Sequence, residues 1–307
     1  MARNTMEAWV PEEDGSTVLQ RVNQLSGIER FARREPMNTD TKNVPRSAGV
    51  GVESIGKGGA YGEDESVNDA VTLVARKFGK AIRIAEEDLD DTLVDVIASK
   101  QRDWATSYAK FVDNAALGVT AASNGTTVPF TSVYRALTQS NGDTGYTAND
   151  NLEQSAGAVT YDLLSTTLGH VEDSDYFDDG SIVVIAHPQF RGAFRGIKDD
   201  QNMPVFIQGL AGTPDTLFGY PVAWSSGTKT SATATAAPDG NPLLVVANRD
   251  YLILGVRSGP ESVFIDGTRG LSALTDEAIL KMRARRGFAV GHEHAFAALE
   301  ITAGGGG

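Results

Sequence analysis

The sequence predicts an α+β protein: one long helix, a compact mixed lobe, and limbs too thin to bury a core of their own. Three observations predict it. Apolar residues from Glu86 to about Leu117 recur at helical spacing. Between Ser181 and Ser226 an apolar strand, a short amphipathic helix and a second strand follow in an order that no catalytic scheme requires. Ahead of the helix lie scattered apolar residues, a glycine-rich stretch and short alternating runs.

Composition bounds the function before any motif is read. A chain of 307 residues can build one large core or two ordinary ones. It has no cysteine, which removes disulfides, thiolate metal sites and cysteine nucleophiles together. A formal charge of -13 argues against general adhesion to nucleic acid. No apolar run approaches the roughly 20 residues needed to cross a bilayer. The opening MARNTMEAWVPEEDG lacks the apolar centre of a secretory signal.

Residues 1–45 read as an arm, with a helix around Ser16–Ala32 carried by Val18, Val22, Leu25 and Ile28. Such an arm buries little alone and must lie on something else. Residues 46–78 read as an extended two-stranded hairpin. Gly49–Gly62 forms its tip, and Val71, Leu73 and Ala75 alternate along the returning strand. The helix from Glu86 then opens on Glu86, Glu87, Asp88, Asp90, Asp91 and Asp95, where its dipole favours negative charge. Continuous over about 32 residues, it would be roughly 48 Å long. Ala85 stands where a capping serine would add about 1 kcal/mol.

Tyr161–Tyr176 is predicted helical, Ser181–Ala186 a strand, and Gln189–Ile197 a helical turn. Thr228–Asn241 (TKTSATATAAPDGN) reads as a low-complexity surface loop. Leu243–Ala247 and Tyr251–Val256 are predicted strands. Ala278–Ala284 alternates as another, ended by Arg285-Arg286-Gly287 before a last strand through Leu299 and Ile301.

Four landmarks occur in order: KFGKAIRIAEEDLDD before the long helix, AHP after the strand at 181–186, LFGYPV at 217–222, and HEHAF near the end. In that order they resemble the major capsid proteins of tailed double-stranded DNA bacteriophages, the HK97 fold. The resemblance implies an N-arm (1–45), an extended hairpin or E-loop (46–78), a P-domain with a spine helix and terminal β-hairpin (79–125 and 275–303), and an A-domain (126–274). It implies a shell of hexamers and pentamers closing into an icosahedral head around double-stranded DNA held without sequence specificity. The chain itself is the first partner. A portal protein and protease or decoration proteins would follow, and because the arm starts almost at Met1, scaffolding, if used, is expected to be a separate protein. The setting is the virion, with assembly in the bacterial cytoplasm. An encapsulin-like nanocompartment shell is the alternative of the same fold.

Chemical motifs are weaker than this framework. Gly51–Lys57 matches G-x-x-x-x-G-K, but Gly58 replaces the hydroxyl residue and no helix can open there, so a hairpin tip explains it better. His292 and His294 lack a third ligand and read as an exposed polar pair. No catalytic, cofactor or metal residue is assigned, and no enzyme activity is expected. The basic residues Lys281, Arg283, Arg285 and Arg286 could grip phosphate; the net negative charge favours instead pairing with the acidic start of the spine helix, Glu86 and Glu87 included, within or between subunits. Arg30, Arg33 and Arg34 on the arm and Lys57 on the hairpin complete the expected inter-subunit contacts. Some relatives weld subunits through a Lys–Asn isopeptide bond promoted by a Glu. Lys57 sits on the corresponding loop, but Asp276–Arg286 contains no Asn and an Arg occupies the place of the Glu. The shell is therefore expected to be unlinked.

Overall fold

A computed structural model describes residues 23, 25–47, 52–63, 69–91, 95–198, 215–265 and 276–302, and statements of absence below refer to these. In chain order the elements are α1 (Gly27–Phe31), β1 (Arg33–Pro36), β2 (Thr41–Arg46), β3 (Asp69–Val74), β4 (Arg76–Ala85), α2 (Glu86–Asp91), α3 (Val96–Leu117) and α4 (Val133–Leu137). Then come β5 (Leu152–Ser155), α5 (Tyr161–Glu172), β6 (Ile182–Ala186), α6 (Phe190–Gly196), β7 (Thr216–Leu217) and β8 (Tyr220–Trp224). The chain continues through β9 (Leu243–Asn248), β10 (Leu252–Ile265), β11 (Glu277–Val290) and β12 (Phe296–Ile301).

A four-stranded sheet, order β1-β10-β11-β4, carries α3 on one face. The alternation read at Ala278, Leu280, Met282 and Ala284 is real: all four are buried. It does not stop at Arg285-Arg286-Gly287, because β11 runs unbroken to Val290 and pairs with β10 as far as Leu252. Gly287 faces Gly255 across the ladder. A Cβ on Gly255 would sit 2.4 Å from the Met37 sulfur, and one on Gly287 3.2 Å from the Val74 carbonyl. The glycines there admit the root of the hairpin; they are not a break.

The long helix is shorter than its periodicity implied. α2 covers Glu86–Asp91 and a new helix begins at Val96, where the Asp95 carboxylate accepts the Ala98 N–H at 2.9 Å. α3 spans 22 residues, roughly 33 Å. Asp95 is thus not one more acid inside a continuous helix but the cap that starts a new one. At Ala85 no side-chain cap is needed, since the Glu86 N–H donates to the Asp276 carbonyl at 3.0 Å. Of the helix expected at 16–32, residues 16–22 lie outside the described residues and α1 covers only Gly27–Phe31.

The second sheet has six strands in the order β5-β12-β9-β6-β8-β7. Its central strands are buried on both faces, which is why SIVVIA and LLVVA read as unbroken apolar runs. Val183, Ile185, Val245, Phe296 and Ala298 pack with Val112, Ala115 and Ala116 of α3. Ile182, Val184, Val246, Ala297 and Leu299 point the other way, against Leu164, Leu168 and Val171 of α5 and Phe190 of α6. β12 lies between β5 and β9, so β11 and β12 belong to different sheets and form no terminal hairpin. Local adjacency in sequence misled here; residues 291–295 carry the chain from one sheet to the other.

Residues 228–241 are not a loose surface loop. The Asn114 amide of α3 donates to the Lys229 carbonyl at 2.9 Å and accepts from Ser231 and from the Thr235 N–H. Thr228 is fully buried, and Val119 bridges Ser231. Small polar residues allow this close docking on the helix end; a Cβ on Gly118 would lie 2.0 Å from the Lys229 oxygen.

Candidate assembly surfaces

β2 and β3 pair from Thr41↔Val74 to Arg46↔Asp69 as a separate two-stranded limb. Its first strand begins at Thr41, inside the segment assigned to the arm. Apolar residues anchor only one face of the root: Leu73 is buried beside Met37, Ile253 and Ala289. The rest of the attachment is polar. Asp40, in the turn before β2, accepts Arg257 and Arg285, each at 2.6 Å, while its carbonyl accepts the Ala75 N–H at 2.8 Å. Arg46 donates to Asp69 and, at 3.0 Å, to the Gly291 carbonyl. Lys42 beside Glu35 holds that carboxyl below the usual range.

Beyond the root the limb is open. Gly59 N–H closes a turn onto the Gly56 carbonyl at 2.9 Å, and Gly58 takes a positive φ of 85°. Lys57 sits exposed at that apex. The residues after it are not helical, so the G-x-x-x-x-G-K match opens no phosphate-binding helix. Val52 is 97% and Tyr61 87% exposed. An open groove of about 550 Å³ between β4 and α3 leaves Phe78, Trp104 and Phe111 partly covered.

The arm is fixed where it reaches α3. Asp113 is fully buried and accepts Ser26 Oγ at 2.5 Å, Gly27 N–H at 2.9 Å and Ile28 N–H at 3.1 Å. Burial pushes its carboxyl up, and these bonds together with Ser225 pull it back. A second anchor joins Glu29 to Arg286 Nε at 2.8 Å and to the Tyr108 hydroxyl at 2.9 Å, and burial drives that phenol upward. Arg34 donates to the Glu29 carbonyl, Arg33 pairs with Glu35, and Arg30 stacks over Phe31.

Within the chain, Arg283, Arg285 and Arg286 of β11 have partners other than the acidic helix start. Arg286 is buried and serves Glu29 of its own chain, which removes it from the surface contacts. Arg285 pairs with Asp40 and Arg283 with Glu261. Within one chain Glu86 and Glu87 do not reach Arg285, for a register reason. Lys77 lies opposite Arg285, whereas Ala85, next to Glu86, lies opposite Glu277. Eight strand residues separate the two ends, roughly 26 Å.

The paired histidines are not exposed. His292 is buried, its ring stacked on Tyr176 at 3.9 Å and beside His294 at 5.5 Å, and burial pushes it down to about 4. His187 is likewise lowered to about 4 by burial, and His170 meets Glu153 at 2.9 Å. Among the described residues no group of three His, Asp or Glu could hold a metal ion, and no helix is long and apolar enough to cross a membrane. Sequence reasoning missed Asp113, Asn114, Asp40 and Glu29. A signal existed for the first two: Asp113-Asn114 interrupts an otherwise apolar helical stretch, FVDNAAL.

A plate of helix on sheet, a mixed lobe, a docked arm and a projecting two-stranded limb define a shell-forming protein of the HK97 type. The chain matches the phage capsid family over residues 8–301 and belongs to it. Among solved structures it is similar to one from Mycobacterium phage Bobi, with a TM-score of 0.75, 17% identity and 98% of each chain covered. Another is titled as the capsid of a native GTA particle, with a TM-score of 0.71, 16% identity, and 98% of this chain and 100% of that one covered. A third comes from Microbacterium phage Oxtober96, with a TM-score of 0.68, 17% identity and 98% of each chain covered. No curated protein matches in sequence. The chain is a structural protein of a virion capsid.

Proposed function

We propose that the chain assembles as hexamers and pentamers into an icosahedral head enclosing double-stranded DNA, and that it catalyses no reaction. The observation that supports this is unfinished burial: a limb with Val52 and Tyr61 almost fully exposed, beside a half-covered aromatic groove on α3. Exposed aromatic and aliphatic groups of this kind are ordinarily buried against a partner. Many modest contacts per subunit then act together through effective concentration.

The arm (from residue 1), the limb, the plate and the lobe are the four working parts. In this reading the limb is taken from Thr41, where β2 starts, and β12 is counted with the lobe whose sheet it joins. Lys57, Arg30, Arg33 and Arg34 are the arm and limb contacts with neighbours. A portal, separate scaffolding, protease or decoration proteins, and DNA bound without sequence preference are the other partners, with assembly in the bacterial cytoplasm. Negative-stain microscopy of the purified protein tests the reading. Closed particles are expected; a discrete small oligomer under every packaging-like condition overturns it.

A further inference from the structure

The outer face of the four-stranded sheet, away from α3, carries an open pocket of about 490 Å³ lined by Lys77, Arg257, Arg283 and Arg285. Strand alternation places Lys77, Arg283 and Arg285 on one face, since Lys77 pairs with Arg285 and Gly79 with Arg283. Among the described residues two carboxylates answer these four cations: Asp40, shared by Arg257 and Arg285, and Glu261, held by Arg283. The buried Nε of Arg285 has no acceptor. In a chain of charge -13 this is a local excess of positive charge with room for more carboxylate.

At the far end of the same sheet stands the opposite sign. β4 runs straight into α2, whose first turn is Glu86, Glu87 and Asp88, with Glu87 and Asp88 exposed. Roughly 26 Å of strand lies between, about three screening lengths at physiological salt. One chain cannot join its own two ends. Two chains can.

We infer that the pocket of Lys77, Arg257, Arg283 and Arg285 receives the acidic first turn of α2 from a second copy, head to tail. This rests on the shell reading and gives it a polarity. A contact between two different patches of identical subunits propagates and closes only by rotation, as rings require. Charge complementarity sets the register and accelerates encounter more than it adds affinity.

The experiment is a reciprocal charge swap on the full chain, read by light scattering and microscopy for particle yield. Melting temperature of the unassembled subunit is the fold control. R283E with R285E is expected to lower yield at least tenfold, and E87K with D88K to do the same. The four-fold combination is expected to return yield to within about threefold of wild type. Rising salt is expected to slow wild-type assembly. Either one-sided variant assembling at wild-type yield overturns the inference and leaves the shell reading intact. So does a well-folded combination no better than its worse half. Loss of DNA retardation in R283E with R285E, at unchanged particle yield, assigns the pocket to phosphate and overturns it too. A wild-type chain that never forms particles defeats the shell reading, and this inference with it.

Discussion

Replacing Asp113 by alanine tests how the arm is held. The carboxylate is the acceptor for Ser26 Oγ and for two buried backbone amides, Gly27 and Ile28. Without it those donors face apolar surroundings, because Ile28 itself is fully buried and Gly27 lies against Ile185. An orphaned buried donor costs about 1–3 kcal/mol, so two amides and a hydroxyl suggest about 3–9 kcal/mol. Relief of a buried charge offsets part of this, leaving a net loss of about 2–4 kcal/mol. Asp113→Asn keeps one oxygen and should cost about half as much. Urea unfolding of the dissociated subunit gives the global figure, and tryptic cleavage at Arg30, Arg33 and Arg34 gives the local one. Cleavage is expected to quicken before the sheets melt. A loss below about 1 kcal/mol with unchanged cleavage would show that Ile28 and the Glu29–Arg286 pair suffice, and the reasoning would fail.

Further outcomes follow from other sites. His292 is held neutral, with a lowered value of about 4 against an unfolded 6.5. Its contribution is therefore complete above pH 6.5 and is lost as pH falls towards 4, about 2–3 kcal/mol in all. Arg46, Asp69, Glu293 and His294 face the ring and shape the curve. His292→Phe, which keeps the stacking on Tyr176, should flatten that limb of a pH–stability profile; an unchanged slope contradicts the assignment. Gly118→Ala would drive a Cβ into the Lys229 carbonyl at 2.0 Å, and should cost about 3 kcal/mol or more in denaturant melts. Gly142→Ala, with open space around it, should stay within about 0.5 kcal/mol. Boiling assembled protein in SDS should release monomers near 32.5 kDa, and a ladder of multimers would show Lys57 or another group forming isopeptide bonds.

Much of the fold was legible because two-sided burial writes itself as composition. The apolar runs at 182–186 and 243–248 could be little else than central strands, and α5 announced itself by Leu164, Leu168 and Val171. Partnership between distant strands was not legible. Nothing in Phe296–Ile301 says that it inserts between Leu152–Ser155 and Leu243–Asn248, since pairing is decided by the whole sheet and not by either strand. Charge was readable in amount and not in address. The arginines of β11 were visible, but Asp40, Glu29 and Glu261 reach them through chain reversals that local patterning does not encode. The polar loop at 228–241 misled for a related reason. Its small residues signalled exposure, whereas they permit close approach to Gly118 and Asn114.

The place of β12 bears on how such a subunit is made. Its strand fills the gap between β5 and β9, so β5 cannot join the other four strands of the lobe's sheet until residues 296–301 have left the ribosome. A chain broken off earlier exposes two unpaired strand edges and the apolar faces of α4 and α5, and has no finished surface to offer a growing lattice. Late closure by so distant a strand is also slow, because the loop entropy is lost before the contacts form. A polypeptide that stops before its last strand is therefore expected to stay out of the lattice.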